Sequence, residues 1–483
     1  MYGLVADRIG LLAHIGAVNR EDYREGGGQR TPNSAGQDRD YMLKLSLIEQ
    51  YGHSLRIGAS RSQNTGLYLF GSIGSDMGQP PENSIPSRQR IQRNTYTLEH
   101  RFNRDDIAWL DWKLNLYANR NKLTDYQANR SAKTNAYGGS AKNSFKAEYG
   151  DLYNQLTVGA DYHYEEGETN GLMGPRFLGT KKKTTDSKNL GLFIQNELQF
   201  KRLRVGAGLR FDRYSTDYGP YHMSDSHFSP NISAELELAY GFSVDASHAR
   251  AVRGSGSIPM GFLTRVDDKT NFNNGQPLKA EKSKSTEFGL SFKKSGVFTQ
   301  YDALSARASY FNTHIDNMIE WVGGGMTYPA FIRNMPGTLR TKGWDIRLSW
   351  SIPQYQTTLA LTKADVTADG KPLGVVRRKG AALGDHLTWS HRWQVNEEIS
   401  LAYHLNAVRR NKDVPGSSIE RPGYALHDIQ AQWEPKAVPG LSLNFAVHNL
   451  TDKRYSSHTS IAFRDSVLME PGRDFRFTLR YQY

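Results

Sequence analysis

The chain has 483 residues and no cysteine, and 61 Lys and Arg stand against 49 Asp and Glu, a formal net charge of +12. Without cysteine it can hold no disulfide and no Cys-ligated zinc or iron–sulfur centre. The mean hydropathy is −0.64, and no apolar run is long enough to cross a membrane as a helix, which excludes a helical membrane protein. A transmembrane β-barrel remains compatible, because its strands alternate apolar and polar residues.

The first twenty or so residues do not form a signal peptide. They contain no basic leading region, no continuous apolar stretch and no small-residue cleavage site. Met1 leads directly into strand-like sequence, so we expect the sequence to begin inside the fold.

Strict two-residue alternation is the clearest pattern in the chain. In the last ten residues Phe475, Phe477, Leu479, Tyr481 and Tyr483 alternate with polar residues. This predicts a strand with one apolar and one charged face. The same pattern recurs at 110–119, 152–164, 190–200, 203–212 and 441–448. The charged faces are too polar for the inside of a sandwich, so we predict a wet lumen with the apolar faces toward lipid.

Strands and connections alternate in a regular way. We predict twenty strands, starting near 9, 40, 54, 88, 109, 134, 152, 188, 203, 225, 242, 283, 305, 337, 356, 385, 400, 424, 441 and 473. Short turns alternate with long polar stretches at 20–40, 66–90, 167–188, 253–283 and 367–385. Short turns on one side and long loops on the other are typical of outer-membrane barrels. We expect ten long loops to face outward.

Four short motifs, taken in order, resemble the barrel of TonB-dependent outer-membrane receptors. Residues 449–455, with Asn449, Leu450, Asp452 and Tyr455, are similar to the family's N-L-x-D-K-x-Y stretch. Pro471, Gly472 and Arg473 then open the final strand, and Tyr483 supplies the terminal aromatic residue. Residues 277–283 resemble the family's N-P-x-L-K-P-E-x-S segment, and residues 343–345 its G-[VW]-[DE] motif.

The resemblance implies an all-β fold, a transmembrane antiparallel barrel of the 22-stranded type. Residues 1–483 would be the C-terminal part of that barrel, with about twenty strands present and with the signal peptide, the TonB box and the plug domain absent. It further implies a monomer in the outer membrane of a Gram-negative bacterium. Its partners would be a TonB-type energy-transducing complex reached through the plug, outer-membrane lipid and lipopolysaccharide, and the barrel assembly machinery, which reads the C-terminal strand. No cofactor is expected to be bound covalently.

The resemblance also implies a ligand too large for porins, and we expect a ferric siderophore or a similar iron chelate. Basic residues in the outward loops would attract an anionic chelate: Arg253, Arg265, Arg377, Arg378 and Arg464. The alternatives for each are a contact to lipopolysaccharide phosphate or a solvated loop.

Haem is the alternative ligand, because haem iron is often held by histidine. Tyr221, His222 and His458 are the outward-loop candidates, but residues 253–275 contain no histidine where haem receptors of this family usually carry one. Methionines in the loops leave copper as a further alternative, and cobalamin is another ligand of the family. Whether any metal binds directly stays open.

Three other classes of protein fit less well. An enzyme would need a nucleophile beside a base, and no G-x-S-x-G motif occurs. A nucleic-acid binder would concentrate its Lys and Arg in one stripe, whereas here they are spread along the chain. A passive porin shares the barrel physics but usually has fewer strands.

Overall fold

The structure is a computed structural model. It describes residues 2–6, 8–68, 87–104, 106–126, 129–170, 183–218, 221–254, 273–323, 330–373, 383–412, 421–460 and 467–482. Across this part of the chain, no helix is both long and apolar enough to cross a membrane.

Among the described residues, one antiparallel sheet of 22 strands makes up almost the whole fold. A separate two-stranded hairpin, β15 and β16, lies in the connection between β14 and β17. The strands are β1 (Tyr2–Ala6), β2 (Ile9–Arg20), β3 (Gly36–Gln50), β4 (His53–Tyr68), β5 (Ser87–Asn103), β6 (Asp111–Asp125), β7 (Arg130–Tyr149), β8 (Leu152–Asn170), β9 (Lys183–Phe200), β10 (Leu203–Tyr218), β11 (Tyr221–Glu237), β12 (Phe242–Arg253), β13 (Glu281–Ser295), β14 (Ala303–Asp316), β15 (Ile319–Gly323), β16 (Ala330–Asn334), β17 (Thr338–Ile352), β18 (Tyr355–Ala368), β19 (Lys371–Pro372), β20 (His386–Gln394), β21 (Ile399–Val408), β22 (Tyr424–Trp433), β23 (Leu441–His448) and β24 (Asp474–Tyr481).

The predicted strands are confirmed. Twenty strands of the sheet have eight residues or more, and each begins within five residues of its predicted start. The short β1, which pairs with β2, comes before these twenty. The sequence did not predict the hairpin of β15 and β16 or the two-residue β19, because segments this short carry too few alternations to be recognised.

The alternation separates the two faces of the sheet as predicted. On β24 the apolar side chains Phe475, Phe477 and Leu479 are more than 60% exposed. Each lies opposite an apolar partner on β23; Phe477, for example, faces Phe445. Large apolar side chains exposed in a continuous band form the lipid-facing surface, and the polar residues between them face the lumen.

The two sides of the sheet have unequal connections. On the turn side, neighbouring strands are joined by short turns such as 51–52, 150–151 and 201–202. On the loop side most connections are long, but four residues separate β6 from β7 and two separate β10 from β11. The expectation of ten long loops was therefore wrong at two places. In these hairpins the strand pairing continues almost to the turn, so the polar residues that looked like loop belong to strands.

One turn on the turn side shows how the short connections are held. The buried carboxylate of Asp302 accepts the backbone N–H groups of Val297 and Phe298 at 2.8 and 3.0 Å, and the indole N–H of Trp350 at 3.0 Å. Burial opposes ionisation, but these donors outweigh it and lower the pKa of Asp302. The turn thus fixes Trp350 at the edge of the apolar band.

Candidate functional site

The candidate ligand-binding surface is the loop-side mouth of the sheet, where the long connections gather. Arg253, His222 and His458 are described there, and Tyr221 is described as the first residue of β11. Arg265, Arg377, Arg378, Arg464 and the terminal Tyr483 lie outside the described residues.

Arg253 faces the mouth of the lumen at the end of β12. Its guanidinium lies 2.5 Å from the carboxylate of Glu281, and its side chain is 70% exposed. Glu281 also accepts the backbone N–H of Ile319 at 2.7 Å. The ion pair therefore holds Arg253 in place while leaving most of its surface open to an anion.

His222 does not share a face with Arg253. The Nδ1 atom of His222 lies 2.6 Å from Asp217, and both side chains are largely exposed. Even-numbered residues of β11 share the outer face with the apolar Phe228 and Ile232, so His222 points away from the lumen. Arg253 and His222 therefore lie on opposite faces of the sheet.

His458 is completely buried. Its Nδ1 accepts the backbone N–H of Gly384 at 3.0 Å, and its Nε2 donates to the carbonyl of Pro422 at 3.0 Å. Burial lowers the pKa of His458 below its ordinary value. Both ring nitrogens are engaged, so the imidazole could bind an iron only after one of these hydrogen bonds broke.

Tyr424 packs against His458, and Tyr455 packs against Tyr424. The rings of Tyr424 and Tyr455 lie 4.8 Å apart, and the ring of Tyr424 meets that of His458 edge-on at 5.9 Å. Tyr23 donates its hydroxyl to the carbonyl of Met469 at 2.6 Å. Burial, followed by the nearby carboxylate of Glu470, raises the pKa of Tyr455 to about 12. We call Tyr23, Tyr424, Tyr455 and His458 the aromatic rim.

Arg421 lies fully buried beside the aromatic rim. Its guanidinium donates to the carbonyls of Ser457 and Ser460 at 3.2 and 3.4 Å. Burial lowers the pKa of Arg421, although a guanidinium stays protonated in proteins. The buried cation ties the start of β22 to residues 457–460.

The family-like motif near the C-terminus has a structural role that the sequence did not reveal. The carboxylate of Asp452 accepts the backbone N–H of Arg473 at 2.9 Å and that of Gly27 at 3.1 Å. These two bonds lower the pKa of Asp452. Gly472 donates its N–H to the carbonyl of Arg24 at 2.8 Å. We call residues 24–27 with residues 449–455 and 471–473 the clasp.

The clasp joins the two ends of the sheet. Within the described residues, strand pairing runs from β1 to β24 and no pairing joins β24 back to β1. The clasp connects the loop after β2 to the segment before β24 on the loop side. Backbones approach so closely that a Cβ on Gly26 would lie 2.3 Å from the nitrogen of Arg454, and one on Gly472 2.8 Å from Glu25. Only glycine fits at both positions.

A second ordered structure on the loop side surrounds the other family-like segment, residues 277–283. Asn334, at the end of β16, accepts the backbone N–H of Lys279 at 2.8 Å and donates to the carbonyls of Lys279 and Asn317 at 2.9 and 2.7 Å. In the same hairpin Arg333 pairs with the buried Glu320 at 2.7 Å. The hairpin of β15 and β16 is thereby fixed over the ends of β13 and β14.

The lumen wall carries a repeated charge pattern. Three arginines each lie between two carboxylates: Arg204 between Glu197 and Glu235, Arg210 between Asp161 and Asp212, and Arg307 between Asp245 and Glu287. A cavity of about 430 Å³ opens among Glu197, Arg204, Glu235, Asp245 and Arg307. Each triplet has one carboxylate in excess, so this wall presents negative charge to whatever occupies the lumen.

The described residues include no group of three or more His, Asp or Glu side chains that could hold a metal ion. Sequence reasoning named Arg253, His458 and the C-terminal motif with Tyr455, but it did not name Tyr23, Tyr424, the buried Arg421 or the contacts of the clasp. A long separation along the chain hid the clasp, because Asp452 and Gly27 are 425 residues apart. The glycines of residues 26–28 were the only local signal.

Comparison with known proteins gives a consistent result. The family model described as TonB dependent receptor-like, beta-barrel, matches residues 24–450. The Heme transporter BhuA of Brucella ovis is 24% identical over all of this chain and 71% of its own length. The Ferrioxamine B receptor of Salmonella typhimurium is 22% identical over 74% of this chain and 54% of its own.

Solved structures share the fold. The FrpB iron transporter from Neisseria meningitidis superposes with a TM-score of 0.82 at 17% identity, covering 99% of this chain and 78% of that one. The hemophore receptor HasR of Serratia marcescens superposes with a TM-score of 0.77 at 14% identity, covering 99% and 77%. The matched residues, the strand ladder and the motifs agree, and the chain belongs to the TonB-dependent receptor β-barrel family of the Gram-negative outer membrane.

Proposed function

We propose that this barrel imports a ferric siderophore or similar iron chelate across the outer membrane. The observation that carries this is the family match over residues 24–450. It is supported by two relatives, a heme transporter matched over the whole chain and a ferrioxamine B receptor matched over 74% of it. The family consists of receptors and transporters rather than enzymes. The barrel would select its ligand at the loop-side mouth and perform no chemistry on it.

The exposed guanidinium of Arg253 at the mouth supports an anionic ligand. Arg253 is fixed by Glu281 yet 70% exposed, and a fixed, open guanidinium loses little side-chain entropy when it binds an oxyanion. We propose that Arg265, Arg377, Arg378 and Arg464 in the neighbouring connections complete this surface. Tyr221, at the start of β11, would add a hydroxyl.

Energy coupling would go through a plug domain and a TonB-type complex. The relatives have residues beyond those matched here, since the chain covers 71% of BhuA and 78% of FrpB. The excess of carboxylates on the lumen wall, around Arg204, Arg210 and Arg307, would pair with basic side chains of such a plug. We also propose that the barrel is a monomer and is assembled by machinery that recognises β24.

Haem is the second candidate, and one observation favours it. Relatives named as heme transporters align with the full length of this chain. Three observations argue against haem bound through a histidine. Both ring nitrogens of His458 are engaged in hydrogen bonds within the protein, and His222 faces away from the lumen. Residues 253–275 contain no histidine. A siderophore, which brings its own iron ligands, needs no protein histidine.

Equilibrium binding separates these ligands. Protein purified from outer membranes is titrated with ferric hydroxamate, ferric catecholate and haem, and binding is followed by quenching of tryptophan fluorescence. We expect saturable binding of one ferric chelate, weakened at least ten-fold by Arg377→Gln with Arg378→Gln. Lys201→Gln with Arg202→Gln, on the turn side, is the matched control. Saturable binding of haem alone would favour the second candidate, and binding of none of the three would contradict iron-chelate uptake.

A further inference from the structure

His458 joins three loop-side segments that are far apart in the sequence. It belongs to residues 456–460, which follow the family-like motif at the C-terminal end. Its Nδ1 accepts the backbone N–H of Gly384, just before β20, and its Nε2 donates to the carbonyl of Pro422, just before β22, both at 3.0 Å. The ring is fully buried. One imidazole therefore holds residues 456–460 to the starts of two strands.

These two partners fix the protonation state of the ring. A backbone N–H can only donate and a carbonyl can only accept, so the imidazole of His458 must be neutral, with its proton on Nε2. A protonated ring would point an N–H from Nδ1 at the N–H of Gly384. Gly384 has no room to move aside, because a Cβ built on it would lie 1.8 Å from the carbonyl oxygen of Arg409. Protonation of His458 therefore breaks its bond to Gly384.

A buried positive charge already lies beside the ring. Arg421 is fully buried, its recorded acceptors are the carbonyls of Ser457 and Ser460, and its Nε has no hydrogen-bond partner. Burial is the main cause that lowers the pKa of His458, and the charge of Arg421 lowers it further. A proton on His458 would place a second cation next to the first.

The nearby carboxylates have other partners. Asp385, next to Gly384 in the sequence, pairs with Arg409 at 3.4 Å. Glu470 accepts the hydroxyl of Ser460. Among the residues that the structure describes, no recorded ion pair joins either carboxylate to His458. A proton on the ring would therefore lack a directly paired negative charge.

The phenols around the ring do not titrate in acid. Tyr424 meets His458 edge-on, and Tyr455 packs against Tyr424. Phenols lose their protons only near pH 10 or above, so both stay neutral when the medium is acidified. A charge buried without a partner is costly. Acid therefore favours any arrangement in which the imidazole leaves this environment for water.

We propose that His458 is an acid-sensitive latch of the loop-side mouth: the neutral ring holds residues 456–460 against Gly384 and Pro422, and the protonated ring releases them. In the released segment the ring lies in water, where imidazole titrates near pH 6.5. The latched state binds fewer protons than the released state. The latch is therefore fully stable above about pH 6.5, and its equilibrium constant falls by up to about ten-fold per pH unit below that.

Release would also change the aromatic rim. Residues 456–460 supply the carbonyls that hold Arg421, and His458 is the edge-on neighbour of Tyr424. When the segment leaves, both side chains lose these contacts and become open to solvent. The mouth would thus have a closed form in neutral medium and a more open form in acid, whichever ligand the barrel takes.

A spin label on the segment tests the latch. The chain contains no cysteine, so a single introduced cysteine carries a nitroxide at one position. Thr459→Cys places it on an exposed residue of the segment, and electron paramagnetic resonance reports its mobility in protein purified from outer membranes. We expect an immobile label above about pH 7 and a mobile fraction that grows as the pH falls from about 6.5 to about 5.

Two controls separate the latch from general loosening in acid. His458→Gln keeps a donor and an acceptor but does not titrate, so the Thr459→Cys label should stay immobile throughout. A label at Thr451→Cys, in the neighbouring clasp, should not respond to pH. If His458→Gln lacks heat-modifiable migration and so is not folded, His458→Asn replaces it. An immobile Thr459→Cys label at about pH 5, or an equal rise in mobility in either control, would overturn the proposal.

Discussion

Ile429 gives the sharpest test of which face of the barrel meets lipid. It lies in the middle of β22, opposite Tyr403 on β21 and Val447 on β23, and is 38% exposed. Its neighbour Gln430 is exposed on the other face. An arginine on the lipid face near the midplane costs about 2–4 kcal/mol, whereas one facing the lumen costs little. Ile429→Arg should therefore lower the folding equilibrium constant by roughly 30- to 1000-fold, since about 1.4 kcal/mol is a factor of ten.

The assay is equilibrium unfolding by urea in lipid vesicles, with the folded fraction read from heat-modifiable migration. Gln430→Arg is the matched control, because it adds the same side chain one residue away on the same strand. We expect its unfolding midpoint to stay close to that of the unaltered protein. Equal destabilisation by the two variants, or a larger effect of Gln430→Arg, would refute the assignment of the two faces.

Three further predictions concern the loop side. In the clasp, Gly472→Ala places a Cβ 2.8 Å from Glu25. The rate of amide hydrogen exchange at residues 24–28 should therefore rise at least ten-fold. An unchanged exchange rate would argue that the clasp does not hold these residues. Tyr455, whose pKa is raised to about 12, should stay protonated at pH 11. The folding stability should fall as the pH rises from about 10 to about 12, because the phenol ionises near pH 10 in the unfolded chain but only near pH 12 in the folded protein. Absorbance at 295 nm measures the ionisation, with Tyr455→Phe as the control, and ionisation of Tyr455 near pH 10 would contradict this prediction. Asn334→Ala removes the bonds that hold the hairpin of β15 and β16, so limited proteolysis there should accelerate, while equal cleavage of both proteins would show that the hairpin is held otherwise.

The strands could be predicted from the sequence because their signal is local. Alternation fixes both the span of a strand and the face that each residue occupies, so β10 begins at the predicted Leu203 and β21 within one residue of its predicted start. The connections between β6 and β7 and between β10 and β11 were predicted to be long loops, because the strand ends there lack the alternation that marks a strand. Outside the lipid band both faces of a strand can be polar, and the alternation disappears.

The arrangement of the loop side could not be predicted, because its contacts join distant parts of the chain. Nothing around Asp452 in the sequence indicates that it accepts the N–H of Gly27. The sequence around His458 is polar and predicts an exposed loop, yet His458 is fully buried and hydrogen-bonded to Gly384 and Pro422. The charge pattern of the lumen wall is equally hidden, since each triplet, such as Asp161 with Arg210 and Asp212, is assembled from different strands.

Energy-dependent uptake tests the central proposal most directly. The gene, with the DNA upstream of Met1, is placed in a strain that lacks its own siderophore and haem receptors, and uptake of radioactive iron is measured with each chelate, with and without a functional tonB gene. We predict uptake of a ferric chelate that is lost without TonB, and an upstream reading frame that encodes a plug. Iron uptake that is equal with and without TonB would contradict an energy-coupled receptor and indicate a passive pore.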